Sequence, residues 1–179
     1  MNVILACDKN YGIGLNNDLP SWNLKEDMLK FKNTTIGNGN NVVIMGKNTY
    51  LSLKKPLKDR INIVISKTLI EELDLKIREY NGFLIFSNIQ EAYTCANLLI
   101  SKTDNKGEIW IIGGAKLYES VLHSFPINKF FVTKINKAFD CDIFLQEKTI
   151  NLINNIKWTT ILNKKNKDYD YNFYEFISI

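Results

Sequence analysis

Short apolar runs, most of them rich in β-branched residues, alternate with longer amphipathic stretches along most of the chain. Runs that are apolar at nearly every position are typical of strands covered on both faces. Strands that alternate with helices are typical of an α/β fold with a largely parallel sheet. The pattern predicts strands over residues 3–7, 41–45, 61–65, 83–86, 108–112 and 129–135, and helices over residues 25–32, 47–53, 89–100 and 115–122.

The last part of the chain has a different pattern. Residues 158–162 and 173–179 are predicted strands, and the charged run at 163–168 is the predicted turn of an antiparallel hairpin. We therefore expect an α/β fold whose mostly parallel central β-sheet is flanked by helices and carries an antiparallel C-terminal edge hairpin. Because there is no internal repeat, long linker or low-complexity tail, the sequence predicts a single domain over residues 1–179.

The composition is that of an ordinary globular protein. The 179 residues are 45% hydrophobic and 23% charged, which excludes a disordered or fibrous chain. No stretch approaches about 20 apolar residues, so we expect no membrane span, and the first residues lack the features of a secretory signal. The formal net charge of +4 favours anionic ligands but is too small to predict nucleic-acid binding.

The cysteine and histidine content excludes the common disulfide and zinc frameworks. The three cysteines, Cys7, Cys95 and Cys141, form no CxxC pair, and His123 is the only histidine. We therefore predict no metal site, reduced thiols and a cytoplasmic location.

Asp27 is the residue most indicative of chemistry. A helix over residues 25–32 carries an apolar stripe formed by Leu24, Met28 and Phe31. Asp27 lies on the same face of this helix, and a carboxylate buried there requires a hydrogen-bonding partner. Two interpretations are open: a structural carboxylate satisfied by a neighbouring donor, or the polar group at the floor of an apolar pocket that binds a ligand's donor groups.

Three apolar strands are followed by small or hydroxyl-bearing residues, Gly46, Ser66 and Gly113. Open α/β sheets bind ligands at the carboxyl ends of their strands, and backbone N–H groups at a helix start bind phosphate. Neither glycine lies in a Walker A loop or a GxGxxG fingerprint, and each is also compatible with an ordinary tight turn. Several such ends on one sheet predict an extended phosphate-bearing cofactor, and Lys47 is either beside a phosphate or solvated at an ordinary strand-to-helix turn.

Two further features are typical of ligand-binding proteins. Residues 11–22 form a long, glycine-punctuated connection, and loops of this length inside a compact domain are usually functional. Arg60 lies just before a buried strand, where its guanidinium is either solvated or able to bind a carboxylate through two hydrogen bonds.

Taken in order, these segments closely resemble the dihydrofolate reductase family. The matching stretches follow the family's spacing from about Val3 to Phe144 and continue more faintly through the terminal hairpin. Each motif alone is a weak signal, whereas six in register are specific. They are GIG at 12–14 with DLP at 18–20, the helix start at 24–31, VIMGKNTY at 43–50, PLKDRIN at 56–62, WIIGG at 110–114 and FVT at 131–133.

The resemblance implies NADPH-dependent reduction of 7,8-dihydrofolate to tetrahydrofolate, by hydride transfer from nicotinamide C4 to pterin C6 with protonation at N5. Asp27 matches the acid that binds the pterin, and Thr133 supports the same end. Trp22 matches a tryptophan that helps to hold a water near the substrate. The implied catalytic residues are thus Asp27, Trp22 and Thr133. Arg60 matches the arginine that binds the substrate's α-carboxylate. The other implied substrate-binding residues are Ile4, Leu5, Ala6, Leu24, Met28, Phe31, Ile112 and Tyr118.

The resemblance also implies where NADPH binds. Residues 47–49 and 113–117 match the loops that hold the cofactor pyrophosphate. Ser66 and Lys67 match the positions that recognise the adenosine 2′-phosphate, which favours NADPH over NADH. The Gly113–Gly114 bond matches the family's cis peptide. The implied cofactor-binding residues are Ala6, Ile13, Gly14, Lys47, Asn48, Thr49, Ser66, Lys67, Ile112, Gly113, Gly114, Ala115, Lys116, Leu117 and Tyr118.

Dihydrofolate is thus the implied partner, and we expect a monomer that binds neither nucleic acid nor membrane. Two other functions stay open at this point. One is a reductase of the same fold class that acts on another heterocycle, such as the pyrimidine intermediate of riboflavin synthesis. The other is a non-catalytic binding protein that keeps the pocket. Asp27 and Arg60 argue against the first, and intact pocket residues argue against the second.

Overall fold

The computed structural model describes residues 1–72, 79–102, 107–165 and 169–177, and strands alternate with helices through most of them. The strands and helices predicted before the C-terminal hairpin are all present, with ends that differ by a few residues. The strands are β1 (Asn2–Cys7), β2 (Gly12–Gly14), β3 (Val42–Gly46), β4 (Ile61–Ile65), β5 (Glu79–Tyr80), β6 (Phe83–Phe86), β7 (Ile109–Ile111), β8 (Lys129–Ile135), β9 (Ile143–Phe144), β10 (Thr159–Lys165) and β11 (Asp170–Ile177). The helices are α1 (Lys25–Ile36), α2 (Lys47–Ser52), α3 (Lys67–Glu72), α4 (Ile89–Ser101), α5 (Ala115–Ser124) and α6 (Glu147–Asn155).

Nine of the described strands form one mixed sheet in the order β10-β11-β8-β1-β7-β3-β4-β6-β5. The pairings from β8 through β1, β7, β3 and β4 to β6 are all parallel. Strands β10 and β11 add an antiparallel hairpin beside β8, which confirms the predicted fold class. The short strand β5, antiparallel to β6 at the other edge, is additional to the prediction, as are α3 and α6.

The central strand β3 is apolar at consecutive positions because both of its faces are covered. Val42 and Ile44 pack into one buried cluster with residues of α4 and α5, whereas Val43 and Met45 pack into a second cluster on the opposite face. All four side chains have no exposed surface. Burial of each contributes about 2 kcal/mol to folding, which anchors the strand whose carboxyl end carries Gly46.

The C-terminal hairpin is longer than the sequence predicts. Strand β10 continues through residues 163–165, so the first half of the predicted turn at 163–168 is wrong. The charges are tolerated there because β10 is an edge strand, and Lys164 Nζ lies 3.5 Å from Glu26 Oε1. Residues 166–168 and the last two residues of the predicted second strand lie outside the described residues.

Helix α1 faces the sheet through a narrower stripe than predicted. Leu24, just before the helix, and Thr35 are buried, and Asp27 and Phe31 between them are partly buried. Met28 is 50% exposed, so its predicted place in the inward stripe is wrong. The inward positions recur every three to four residues, and Met28 lies at the margin of that stripe. Asp27 nevertheless lies on the inner face, as predicted.

Part of the predicted loop at 11–22 is a strand. Strand β2 pairs with β9 in a separate two-stranded sheet, with Gly12 opposite Phe144 and Gly14 opposite Ile143. This pairing brings the segment after β8 next to the N-terminal loop. In the ranges given above, no helix combines the length and apolarity needed to span a bilayer.

Candidate active site

A cavity of about 1130 Å³ opens at the carboxyl ends of β3, β4, β6 and β7. Its lining comes from the strand-to-helix turns that follow these strands, together with residues of the loop around β2 and of the segment at 142–146. This volume exceeds the range of about 300–1,000 Å³ that is typical of sites for drug-sized ligands. The cavity therefore has room for an extended ligand.

The structure brings all the residues that the sequence places at the cofactor into the lining of this cavity. They come from five separate segments of the chain, which only the fold brings together. Their contact with a cofactor stays a prediction. These residues are Ala6, Ile13, Gly14, Lys47, Asn48, Thr49, Ser66, Lys67, Ile112, Gly113, Gly114, Ala115, Lys116, Leu117 and Tyr118.

The double glycine joins two of these turns. The Gly113–Gly114 peptide is cis, as predicted, and the Gly113 carbonyl accepts a hydrogen bond from the Gly46 N–H at 2.8 Å. Gly113 has φ of +105°, and a Cβ atom there would lie 3.1 Å from the ring of Tyr118. Only glycine suits this position, because any side chain would displace the buried tyrosine.

Tyr118 forms part of the boundary between the cavity and the first strand. Its side chain is buried, and its hydroxyl donates a hydrogen bond to the Ile4 carbonyl at 2.8 Å. Burial raises the pKa of Tyr118, and the charges of Asp27 and Cys7 act in the same direction. The phenol therefore stays neutral and keeps its proton for the Ile4 carbonyl.

Asp27 lies on the inner face of α1 and is held by one side-chain hydrogen bond. The Thr133 hydroxyl donates to Asp27 Oδ1 at 2.6 Å, and Thr133 lies opposite Ala6 in the pairing of β1 with β8. Burial raises the pKa of Asp27, whereas the Thr133 hydrogen bond and the charge of Lys30 oppose the rise. Within the described part of the chain, Oδ2 has no protein donor, so a ligand's N–H group has an acceptor there.

Lys30 is a cation near Asp27 that sequence reasoning missed. Its ammonium lies 4.4 Å from the ring centre of Phe173 and 5.7 Å from that of Phe131. Burial lowers the pKa of Lys30, and the charges of Glu175 and Asp27 oppose that effect. No local pattern indicates this arrangement, because the rings and Glu175 come from β8 and β11.

Arg60 is oriented by neighbours at the other end of α1. Its Nη1 donates to the Thr35 hydroxyl at 2.7 Å, and its Nε donates to the Lys58 carbonyl at 3.0 Å. The guanidinium carbon lies 5.9 Å from the ring centre of Phe31. Burial lowers the pKa of Arg60 and the charge of Asp59 opposes this. Among the described residues Nη2 has no partner, which suits a bound carboxylate.

Nine of the predicted catalytic and substrate-binding residues are absent from the described lining of the cavity, and Trp22 and Leu5 are two of them. Trp22 is 4% exposed and packs edge-on against Phe139, and its carbonyl accepts the Tyr169 hydroxyl. Leu5 points to the opposite face of β1 from Ala6, because side chains alternate along a strand, and packs in the main core. Neither side chain is among the described residues that line the cavity. Their contact with a ligand stays a prediction.

The remaining substrate-side predictions lie around Asp27. Leu24 is buried at the start of α1, Phe31 is partly buried one turn after Asp27, and Met28 is open at the margin. Ile4 is buried on the face of β1 that packs with Phe31, and Ile112 lies at the cavity. Ile4, Phe31 and Ile112 thus pack in one cluster, and the roles of all these side chains stay predictions.

Sequence reasoning missed a second group of cavity residues. Ser87 and Asn88 follow β6 in the way that Ser66 follows β4, so the same strand-end signal identifies them. The residues around β9 carry no local signal, because the pairing with β2 alone brings them to the cavity. The missed lining residues are Asn17, Asp18, Leu19, Ser52, Ile65, Thr68, Ser87, Asn88, Ile89, Ser120, Asp142, Ile143, Phe144 and Gln146.

The fold and the cavity define an α/β protein whose ligand site lies at the carboxyl ends of parallel strands. The family model described as dihydrofolate reductase matches residues 1–178. The chain is 37% identical over 150 residues to the dihydrofolate reductase of Drosophila melanogaster, covering 80% of this chain and 77% of that protein. It is 36% identical over 155 residues to the viral dihydrofolate reductase of Saimiriine herpesvirus 2 (strain 488), covering 82% and 68%. It is 33% identical over 156 residues to the dihydrofolate reductase of Mus musculus, covering 82% and 79%.

The chain therefore belongs to the dihydrofolate reductase family and is an oxidoreductase. This membership agrees with the resemblance carried by the six motifs.

Proposed function

We propose that this protein catalyses the NADPH-dependent reduction of 7,8-dihydrofolate to 5,6,7,8-tetrahydrofolate. The observation that carries the proposal is the position of Asp27. Its carboxylate lies on the inner face of α1, with Oδ1 held by Thr133 at 2.6 Å and Oδ2 available. Thr133 pairs with Ala6, which lines the cavity of about 1130 Å³. A polar group of this kind among apolar neighbours suits a flat heterocycle that carries adjacent amino and ring N–H donors.

The cavity lining fits NADPH. Phosphate groups require cations and N–H donors, and the first N–H groups of α5 have no partner inside the helix. Residues 47–49 and 113–117 would hold the pyrophosphate, and Ser66 and Lys67 would hold the 2′-phosphate. When bound, NADPH supplies the hydride that reduces the pterin ring.

The chain's own groups orient the substrate and control protons. Asp27 accepts hydrogen bonds from the amino and ring N–H groups, so the pterin is fixed and its ring is polarised. Asp27 lies at the edge of the pterin away from N5, so we assign proton delivery to a water admitted beneath the loop at 9–24. Arg60, oriented by Thr35, binds the α-carboxylate of the substrate's glutamate. This division leaves the charged tail at one end of α1 and the ring at the other.

We also propose that residues 1–179 form one domain that acts as a monomer in the cytoplasm. Strands from both ends of the chain share the nine-stranded sheet, which supports a single domain. The free cysteines Cys7, Cys95 and Cys141 support a reducing compartment.

The test of the reaction is replacement of Asp27 by asparagine. Turnover should fall about a hundredfold or more at neutral pH, because the neutral amide cannot accept both N–H groups or polarise the ring. The measurement is the loss of reduced-nicotinamide absorbance with dihydrofolate, with and without methotrexate. Glu26→Gln is the matched control, since Glu26 is the adjacent carboxylate and is exposed on the helix. Near-normal turnover by a folded Asp27→Asn protein would refute the proposal.

A further inference from the structure

Lys47 is already engaged by an acidic side chain at the edge of the cavity. Its ammonium lies 2.7 Å from Glu72 Oε1 and 2.9 Å from Glu72 Oε2, and it donates to the Thr68 hydroxyl at 2.9 Å. An ammonium has three N–H donors, and these three acceptors match that capacity. Lys47 and Thr68 line the cavity, whereas Glu72 lies at the end of α3 with its side chain 54% exposed.

The ion pair lies where the proposed function places the adenosine 2′-phosphate. Helix α3 begins directly after Ser66, whose Oγ accepts the Leu69 N–H at 3.1 Å and lies 3.2 Å from the Thr68 hydroxyl. The proposed function places residues 47–49 at the pyrophosphate, and the side chain of Lys47 extends from there to this turn, where its ammonium contacts Thr68. The turn therefore combines two hydroxyls and the cations Lys47 and Lys67 with one carboxylate. This carboxylate, Glu72, is an unfavourable neighbour for a phosphate dianion.

We propose that Glu72 is a specificity-determining residue that weakens the preference of this site for 2′-phosphorylated nucleotides. The inference rests on the proposed NADPH site. A 2′-phosphate that binds at Ser66 and Lys67 competes with Glu72 for the ammonium of Lys47. It also approaches the Glu72 carboxylate, and two like charges at short range repel each other. A nucleotide without the 2′-phosphate is subject to neither effect. Glu72 therefore reduces the difference in affinity between nucleotides with and without this phosphate.

The experiment uses two nucleotides that differ only in the group concerned: adenosine 2′,5′-bisphosphate and adenosine 5′-monophosphate. Their dissociation constants are measured by titration calorimetry for the wild-type protein and for Glu72→Gln. We expect the variant to bind the bisphosphate about fivefold more tightly and the monophosphate within about twofold of wild type, as removal of one exposed charge implies. The gain should be larger at pH 8 than at pH 5.5, because the second phosphate pKa is about 6.

Two further variants separate this role from a general charge effect. Glu71→Gln removes the same charge from the neighbouring, exposed position of α3, and it should change either affinity by less than about twofold. In a Lys47→Met background, Glu72→Gln should have a smaller effect on the bisphosphate, because the competition for the ammonium is gone and only the direct repulsion remains.

Each result decides between the inference and its alternatives. Weaker bisphosphate binding by Glu72→Gln would overturn it, since Glu72 would then orient Lys47 toward the ligand. Equal gains for both nucleotides, or equal effects of Glu71→Gln and Glu72→Gln, would overturn it as well. A wild-type preference for the bisphosphate that Glu72→Gln leaves unchanged removes this inference alone. Failure of every variant to bind either nucleotide removes the proposed NADPH site together with it.

Discussion

The surroundings of Asp27 shift its pKa in opposite directions. Burial raises its pKa above the ordinary value of 3.8, and the Thr133 hydrogen bond and the charge of Lys30 limit the rise. Because the folded-state pKa exceeds the unfolded one, the folded protein binds the proton more tightly. The resulting cost to stability is absent below the ordinary aspartate range and grows as the pH rises through the folded-state pKa. The proposed ligand-binding carboxylate is therefore retained at the expense of stability at neutral pH.

Lys30 provides a direct test of this balance. Replacement of Lys30 by methionine removes a cation near Asp27 while keeping an unbranched side chain over the rings of Phe131 and Phe173. The pKa of Asp27 should rise further, because Glu175 and the other groups near Lys30 add no compensating positive charge. The midpoint of the pH profile of NADPH oxidation should move to higher pH.

The control for this change is Lys25→Met, which removes a charge from an exposed position of the same helix. It should leave the midpoint unchanged. A shift to lower pH in Lys30→Met, or equal shifts in the two variants, would contradict the assigned effect of Lys30 on Asp27.

At the scale of elements, Asp8 attaches the segment between β1 and β2 to the chain after β8. Its side chain is fully buried, and Oδ1 accepts the N–H groups of Asn10 and Gly12 at 2.8 and 2.7 Å. Oδ2 accepts the Phe139 N–H at 2.9 Å. One carboxylate thus supplies acceptors for three backbone groups that no regular strand or helix satisfies.

Removal of this carboxylate should loosen the whole segment. Asp8→Ala leaves three N–H groups without their acceptor, so the free energy of unfolding should fall by about 3 kcal/mol. Urea denaturation followed by circular dichroism measures the change, with Asp140→Ala, at an exposed position near Phe139, as the control. A loss below about 1 kcal/mol in Asp8→Ala, or an equal loss in the control, would show that the segment is held by other contacts.

The C-terminal hairpin shows how elements far apart in the chain complete the region around Asp27. The Tyr171 hydroxyl donates to Glu26 Oε2 at 2.6 Å, and the Tyr169 hydroxyl donates to the Trp22 carbonyl. The hydrogen bond from Tyr171 lowers the pKa of Glu26. Burial raises the pKa of Tyr171, and the same hydrogen bond acts in that direction as well. Thus β11 fixes the start of α1 from outside, while Asp27, the next residue, faces inward.

At the scale of the whole molecule, the sequence predicts the elements and strand ends that short local patterns determine. The apolar run at 42–45 predicts β3 because both faces of that strand are buried, and the strand ends at Gly46 and Gly113 predict the cavity because parallel strands share one carboxyl edge. Strands β2 and β9 have three and two residues, and their pairing depends on chain segments more than a hundred residues apart. No periodicity is detectable over such lengths.

The candidate site follows the same division. The acid on α1 and the residues of the strand-end turns are readable from the sequence, directly or through the family resemblance. The side chains that contact these residues cannot be predicted from local pattern. Glu72 contacts Lys47 from another helix, and Lys30 lies over rings that come from β8 and β11. The prediction that Met28 belongs to the inward stripe of α1 is wrong, because a helical period does not indicate how wide the buried stripe is.

Binding at the two parts of the site should be separable by stability measurements on the intact protein. NADPH at 100 times its dissociation constant should stabilise the fold by about 2.7 kcal/mol, which corresponds to a rise in Tm of about 5–10 °C for a chain of this size. Asp27 is absent from the described residues that line the large cavity, so Asp27→Asn should retain the NADPH shift. The same variant should lose most of the shift produced by methotrexate, because that ligand's ring N–H groups need the carboxylate. Loss of both shifts in a folded Asp27→Asn protein would mean that Asp27 shapes the cofactor cavity itself, and an unchanged methotrexate shift would mean that the pterin-like ring binds elsewhere.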